Sequence, residues 1–149
     1  MNLTALLKEL TAVAGVSGSE MSIAKTAEKL LAPFCDSVEI KQGNVIGTLG
    51  KRESEKPHVL LDAHMDQIGF LVTAITEDGF VHVGNAGGLD FRLMPAQRVL
   101  LHGKKTIPGV ICCVPPHLQN EEAHVQTITE LTIDTGYSLS LIHISEPTR

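Results

Sequence analysis

The chain has 149 residues, 43% of them apolar, with four Phe, one Tyr and no Trp, so any packed core must be aliphatic. A net charge of −5 argues against the clustered basic face that nucleic-acid binding needs, and no apolar run approaches the roughly 20 residues of a membrane span. Three cysteines, two of them adjacent (Cys112, Cys113), make no disulfide framework, and the opening Met1-Asn2-Leu3-Thr4, interrupted by Lys8 and Glu9, is no secretory signal; a reduced, cytoplasmic setting is expected.

Leu3, Leu6, Leu7, Leu10 and Val13 recur at helical spacing, and Gly15 is placed to stop that helix. Ser17-Gly18-Ser19-Glu20 has the form of a capping box, which predicts that Ser17 opens a second helix. That helix carries Ile23, Ala27, Leu30, Leu31 and Phe34 on one face, with Pro33 in its closing turn. Val38 and Ile40, a Gly43-Asn44 turn and Val45–Leu49 then predict a hairpin, followed by a polar loop over 50–57. Val59-Leu60-Leu61 is a short unbroken apolar run, the pattern of a strand buried on both faces. It ends abruptly in Asp62-Ala63-His64-Met65-Asp66.

Past Gly69 the pattern becomes strand-rich. Phe70–Thr73 and Phe80–Val83 flank Glu77-Asp78-Gly79, a hairpin signature, and Val99–Leu101, Ile107–Val114 and Leu131–Ile133 add short strands. Helices and strands followed by a run of short strands predict part of an α/β domain joined to a small β-barrel. The residues 139–149, which include SLIHISEPTR from Ser140, resemble the translation of a sequencing adapter; they read as a non-native tail and are set aside from fold reasoning.

His64 and Asp66 are the sharpest chemical feature. They lie two apart at the end of the expected strand, where open α/β sheets place ligand sites and where alternation can point both side chains one way. A histidine ligates a metal when it is neutral and rotationally fixed, and a neighbouring carboxylate can secure both. A strand-end histidine bonded to a neighbour is the plain alternative.

The string Leu61-Asp62-Ala63-His64-Met65-Asp66-Gln67-Ile68-Gly69-Phe70 resembles the first metal motif of the glutamyl and tetrahedral aminopeptidases, family M forty-two of the metallopeptidases. Val16-Ser17-Gly18-Ser19-Glu20 resembles that family's N-terminal signature, and the stretch from Gly87 to Val99 the opening of its inserted β-domain. Pro108-Gly109-Val110-Ile111, Pro115-Pro116-His117-Leu118 and Leu131-Thr132-Ile133-Asp134-Thr135-Gly136 follow in the family's order, so the likeness runs from residue 3 to about 138. Gln67 stands where many members have Glu and some have Gln.

The resemblance implies an α/β fold: residues 1–69 as the N-terminal part of a zinc-peptidase-like α/β/α catalytic domain, and 70–138 as part of an inserted β-barrel oligomerisation domain, both incomplete. It implies an aminopeptidase that removes N-terminal residues from peptides with two divalent metals, zinc or cobalt, and assembles as a homo-oligomer from dimer to dodecamer, with no nucleic-acid or membrane partner. His64 matches the first metal ligand and Asp66 the carboxylate that orients it for catalysis. The other ligands and the general base have no counterpart here, so this chain alone is expected to hydrolyse nothing. Its apolar helix faces and strand edges, lacking partners, are expected to favour aggregation.

Two rival readings use other features. The chain could be a non-catalytic oligomerisation or binding module built on the β-barrel. Asp134-Thr135-Gly136 also matches the triplet of the aspartic proteases, which would make a dimer using Asp134, although Tyr137 follows where those enzymes carry a small residue. Cys112 and Cys113 read as a strand pair, one side chain in and one out, and the stretch from Gly84 to Gly88 as a turn. His58, His82, His102, His117 and His124 are scattered without ligand spacing, and His143 falls in the tail.

Overall fold

The structure, a computed structural model, describes residues 2–51, 57–114 and 127–137. The chain divides into two units, Met1–Ile68 and Gly69–Arg149. The segment Pro115–Leu118, with His117, His124 and the tail, lies outside the described residues.

In the first unit, α1 spans Leu3–Thr11, and the Asn2 side chain caps it by accepting from the Ala5 amide at 3.2 Å. The helix stops ahead of Gly15. That glycine serves a close approach instead: a Cβ there would lie 2.6 Å from Ile23 Cγ2. Helix α2, Met21–Leu31, buries Ile23 and Ala24 and tightens into a 3-10 turn, Ala32–Phe34, where Pro33 needs no donor. The expected capping box at its start does not form. Glu20 takes the N-cap place with no side-chain capping bond, because its carboxylate accepts from the Gly18 amide at 2.6 Å and the Ser17 hydroxyl is turned elsewhere.

Helix α2 packs on a hairpin of β1, Ser37–Lys41, and β2, Asn44–Thr48. The turn between them is Gln42-Gly43, one position earlier than expected. Both residues have positive φ, 50° and 80°, as a two-residue loop matched to strand twist requires, and Asn44 pairs with Lys41 as the first residue of β2. The expected strand at Val59-Leu60-Leu61 is absent: these side chains are 86%, 89% and 91% exposed. A strand takes its hydrogen bonds from neighbours, and among the described residues no segment pairs with this run.

The second unit is a five-stranded antiparallel sheet. Its strands are β3 (Gly69–Ile75), β4 (Val81–Ala86), β5 (Arg98–His102), β6 (Thr106–Cys112) and β7 (Thr132–Asp134), in the order β3-β4-β7-β6-β5. The β3–β4 hairpin forms around Glu77-Asp78-Gly79, with a register shift between Val72 and Ala74. Among the described strands β3 and β5 stand at the two ends of this order and are not paired with each other. Alternation along β4, β6 and β7 drives Val81, Val83, Ile111 and Ile133 inward with Leu131. Phe70, Phe91, Met94, Val99 and Leu101 pack around them. Cys112 and Cys113 are both half-buried, because β6 ends at Cys112 and frees Cys113 to turn against this core. Gly84 belongs to β4, not to a turn.

A 3-10 turn at Ile128–Glu130 feeds β7 and carries a complete capping box: the Thr127 amide donates to Glu130 Oε2 at 2.6 Å, and the Thr127 side chain accepts from the Glu130 amide. Another at Phe91–Leu93 is capped by Asp90, whose carboxylate accepts from the Arg92 amide at 3.1 Å and pairs with the Arg92 guanidinium at 2.6 Å. Among the described residues no helix is long and apolar enough to cross a membrane.

Candidate functional site

The site lies wholly in the first unit, where two stretches far apart in sequence meet. Val16 and Gln67 form an isolated parallel bridge. The Gln67 amide donates to the Gly15 carbonyl at 2.9 Å, and its side-chain amide donates to the Val13 carbonyl at 2.7 Å. A tight turn follows on the other side, with the Ser19 amide donating to the Val16 carbonyl at 2.8 Å. The residues on either side of these bonds, Ser17 and Asp66, are thereby brought within reach of one another.

His64 and Asp66 stand not at the end of a strand but in the irregular segment that follows the exposed apolar run. Their expected pairing is present all the same. His64 Nδ1 lies 3.0 Å from Asp66 Oδ1 and 3.2 Å from the Asp66 carbonyl oxygen. Both of those atoms are acceptors, so Nδ1 carries the hydrogen and donates. In the neutral ring this leaves the lone pair on Nε2, which is bonded to none of the described residues. The His64 side chain is 87% exposed.

The second oxygen of Asp66 is also engaged, since the Ser17 hydroxyl donates to Oδ2. Ser17 above all, and His64 after it, hold the Asp66 carboxyl below the usual carboxylate range, because both bonds favour the ionised form. The capping-box reading missed this role of Ser17, and no local pattern could have found it, for its partner lies 49 residues away.

An imidazole tied through Nδ1 to a carboxylate, with Nε2 bonded to none of the described residues, is a group that could offer one nitrogen to a metal. Among the described residues no three His, Cys, Asp or Glu groups stand together closely enough to hold an ion. The histidines His58, His82 and His102 do not join the site: His58 lies in the exposed segment ahead of it, while His82 on β4 and His102 on β5 belong to the second unit. His102 bonds the Thr106 hydroxyl across its own hairpin at 3.2 Å. Asp134 is occupied locally, accepting from the Gly136 amide at 2.7 Å within its own turn.

Comparison with known proteins gives the class. Residues 43–140, more than half of the chain and including His64 and Asp66, match the model of the M42 glutamyl aminopeptidase family. The lysyl aminopeptidase of Pyrococcus furiosus is 35% identical over 119 residues, which cover 78% of this chain and 34% of that protein. The structure superposes on an aminopeptidase of the archaeon Desulfurococcus kamchatkensis with a TM-score of 0.84 at 32% identity, covering 94% of this chain and 39% of the other. It also matches the TET1 peptidase of Pyrococcus horikoshii, which can assemble into a tetrahedron or a large octahedral shell, with a TM-score of 0.79 at 34% identity over 95% of this chain and 43% of that one. The chain belongs to the M42 glutamyl aminopeptidase family. It spans between 34% and 43% of the length of these three proteins.

Proposed function

We propose that this chain is the part of a dinuclear-metal aminopeptidase that contributes the first metal-ligating histidine, His64, and the carboxylate that orients it, Asp66. The observation that supports it is the direction of the imidazole: Nδ1–H is committed to Asp66 while Nε2 is left open. Asp66 holds the proton on Nδ1 and sets the ring plane, so that the Nε2 lone pair faces outward as a ligand. When bound, two divalent cations, zinc or cobalt, supply the Lewis acidity that lets water attack the scissile amide at neutral pH. Peptides with a free N-terminus are the substrates of this reading, the cytoplasm its setting, and a homo-oligomer its working form. Residues 1–69 belong to the catalytic domain in this reading and 70–138 to an inserted β-domain that mediates assembly.

A catalytic zinc takes about three protein ligands, and the described residues bring only one histidine to the site. In this reading the 149-residue chain by itself releases no amino acid from a peptide, and a chelator-sensitive release of an N-terminal residue by the purified chain would overturn it. The test is metal binding by the complete gene product with and without His64→Ala. The variant is expected to lose at least one metal equivalent after dialysis, or to bind it ten times more weakly or worse, as measured by elemental analysis and titration. Unchanged stoichiometry and affinity in the variant would remove His64 from the site.

A further inference from the structure

The three-way contact of Ser17, Asp66 and His64 carries one step more. We infer that Ser17 is a positioning residue for metal binding: by donating to Asp66 Oδ2, it holds the carboxylate whose other oxygen, the nearer of the two Asp66 acceptors, keeps the hydrogen of His64 on Nδ1. This inference rests on the reading of His64 as a ligand.

The terminal torsion of an aspartate is broad and nearly two-fold, so a carboxylate bonded through one oxygen can still swing. Asp66 sits in an irregular segment, and its side chain is 40% exposed, so packing alone does little to stop that motion. The His64 ring is more exposed still, at 87%, and its two hydrogen-bond contacts among the described residues are both to Asp66. With each oxygen engaged by a different donor, the carboxylate is fixed, and the imidazole is fixed through it. Ser17 in turn is held by features that do not involve the dyad. These are the Val16–Gln67 bridge before it, the Ser19-to-Val16 turn around it and the Gly18 amide bonded to Glu20.

Removing the hydroxyl leaves Oδ2 to water and frees the carboxylate to turn. The ring then exchanges between its two tautomers, and in one of them Nε2 carries the hydrogen and has no lone pair for a cation. The cost in metal affinity is expected at the lower end of what outer-shell partners supply, about tenfold.

The experiment compares the parent, Ser17→Ala, Ser17→Thr and His64→Ala in the complete gene product. In the metal-free protein, at a pH where the imidazole is neutral, nitrogen-15 NMR of the ring reports its tautomer. Titration with cobalt(II) reports affinity. Ser17→Ala is expected to move His64 from the Nδ1–H form to a mixture and to weaken cobalt binding about tenfold, while Ser17→Thr, which keeps the hydroxyl, restores both. A Ser17→Ala protein with the parent's tautomer, and with cobalt affinity within about twofold of the parent, overturns the inference while leaving His64 as a ligand. If His64→Ala binds cobalt as the parent does, the ligand reading falls, and the tautomer in Ser17→Ala still decides whether Ser17 holds the pair.

Discussion

Leu131 and Ile133 in the second unit and Val59, Leu60 and Leu61 in the first are the same kind of side chain in opposite surroundings. The former are sealed beneath β4, β6 and β7, while the latter stand almost wholly in water. Apolar character alone does not make a core residue, nor a continuous apolar run a strand. Both need a neighbour to supply hydrogen bonds and a covering face. The second unit finds those neighbours within itself, through the pairings of β7 with both β4 and β6. The run at 59–61 does not find them among the described residues.

The sharpest way to break that comparison is to truncate one residue on each side of it. Leu131→Ala should cost about 2–5 kcal/mol, because Leu131 is buried in the centre of the core and its removal leaves a cavity. Leu60→Ala in the same 149-residue chain should change stability by no more than about 0.5 kcal/mol. Urea titrations of the two variants decide the point, and equal losses would mean that the two regions are not different at all.

A smaller effect is expected at the junction that supports the site. Gly15→Ala forces a Cβ against the branched side chain of buried Ile23, and overpacking of this kind costs about 1–3 kcal/mol. The carbonyl of Gly15 also receives the Gln67 amide, so the same variant should disturb the His64 imidazole resonances. A denaturation midpoint equal to the parent's would show that Ile23 yields without strain.

The smallest effect belongs to the exposed pair in the second unit. The Arg92 guanidinium and amide hold the Asp90 carboxyl down at about 2, against an ordinary value of 3.8. A carboxyl lowered on folding adds stability that is fully present above its unfolded value and is lost as the pH falls through its folded one. Asp90→Asn should therefore lower the melting temperature slightly at neutral pH, and the gap should close between about pH 4 and pH 2. A gap that persists unchanged to pH 2 would assign it to turn capping and not to charge.

Much of this arrangement was legible in the residues. The Glu77-Asp78-Gly79 hairpin and the two amphipathic helices follow from short-range chemistry, and the structure has them where periodicity puts them. The proximity of His64 and Asp66 was legible for the same reason, being a matter of two positions. What failed depended on distant partners. Ser17 and Thr127 both open a capping-box pattern, yet only Thr127 forms one. Ser17 has a carboxylate brought to it from position 66, and Glu20 turns to the Gly18 amide. The apolar residues at 59–61 say only that the run can be covered, not that anything covers it, and the structure has no strand there. The turn between β1 and β2 slipped by one because Gln42 accepts a positive φ that its composition does not advertise.

Gln67 has a consequence for how position 67 can vary. Its side-chain nitrogen donates to a main-chain oxygen at the end of the first helix, an oxygen that can only accept. Replacing the amide by an acid of the same shape would set lone pairs against lone pairs unless the acid kept a proton, which an exposed carboxyl does only in acid solution. The choice between glutamine and glutamate there decides whether the side-chain bond to Val13, which reinforces the main-chain tie of Gln67 to Gly15, is permanent or comes and goes with acidity.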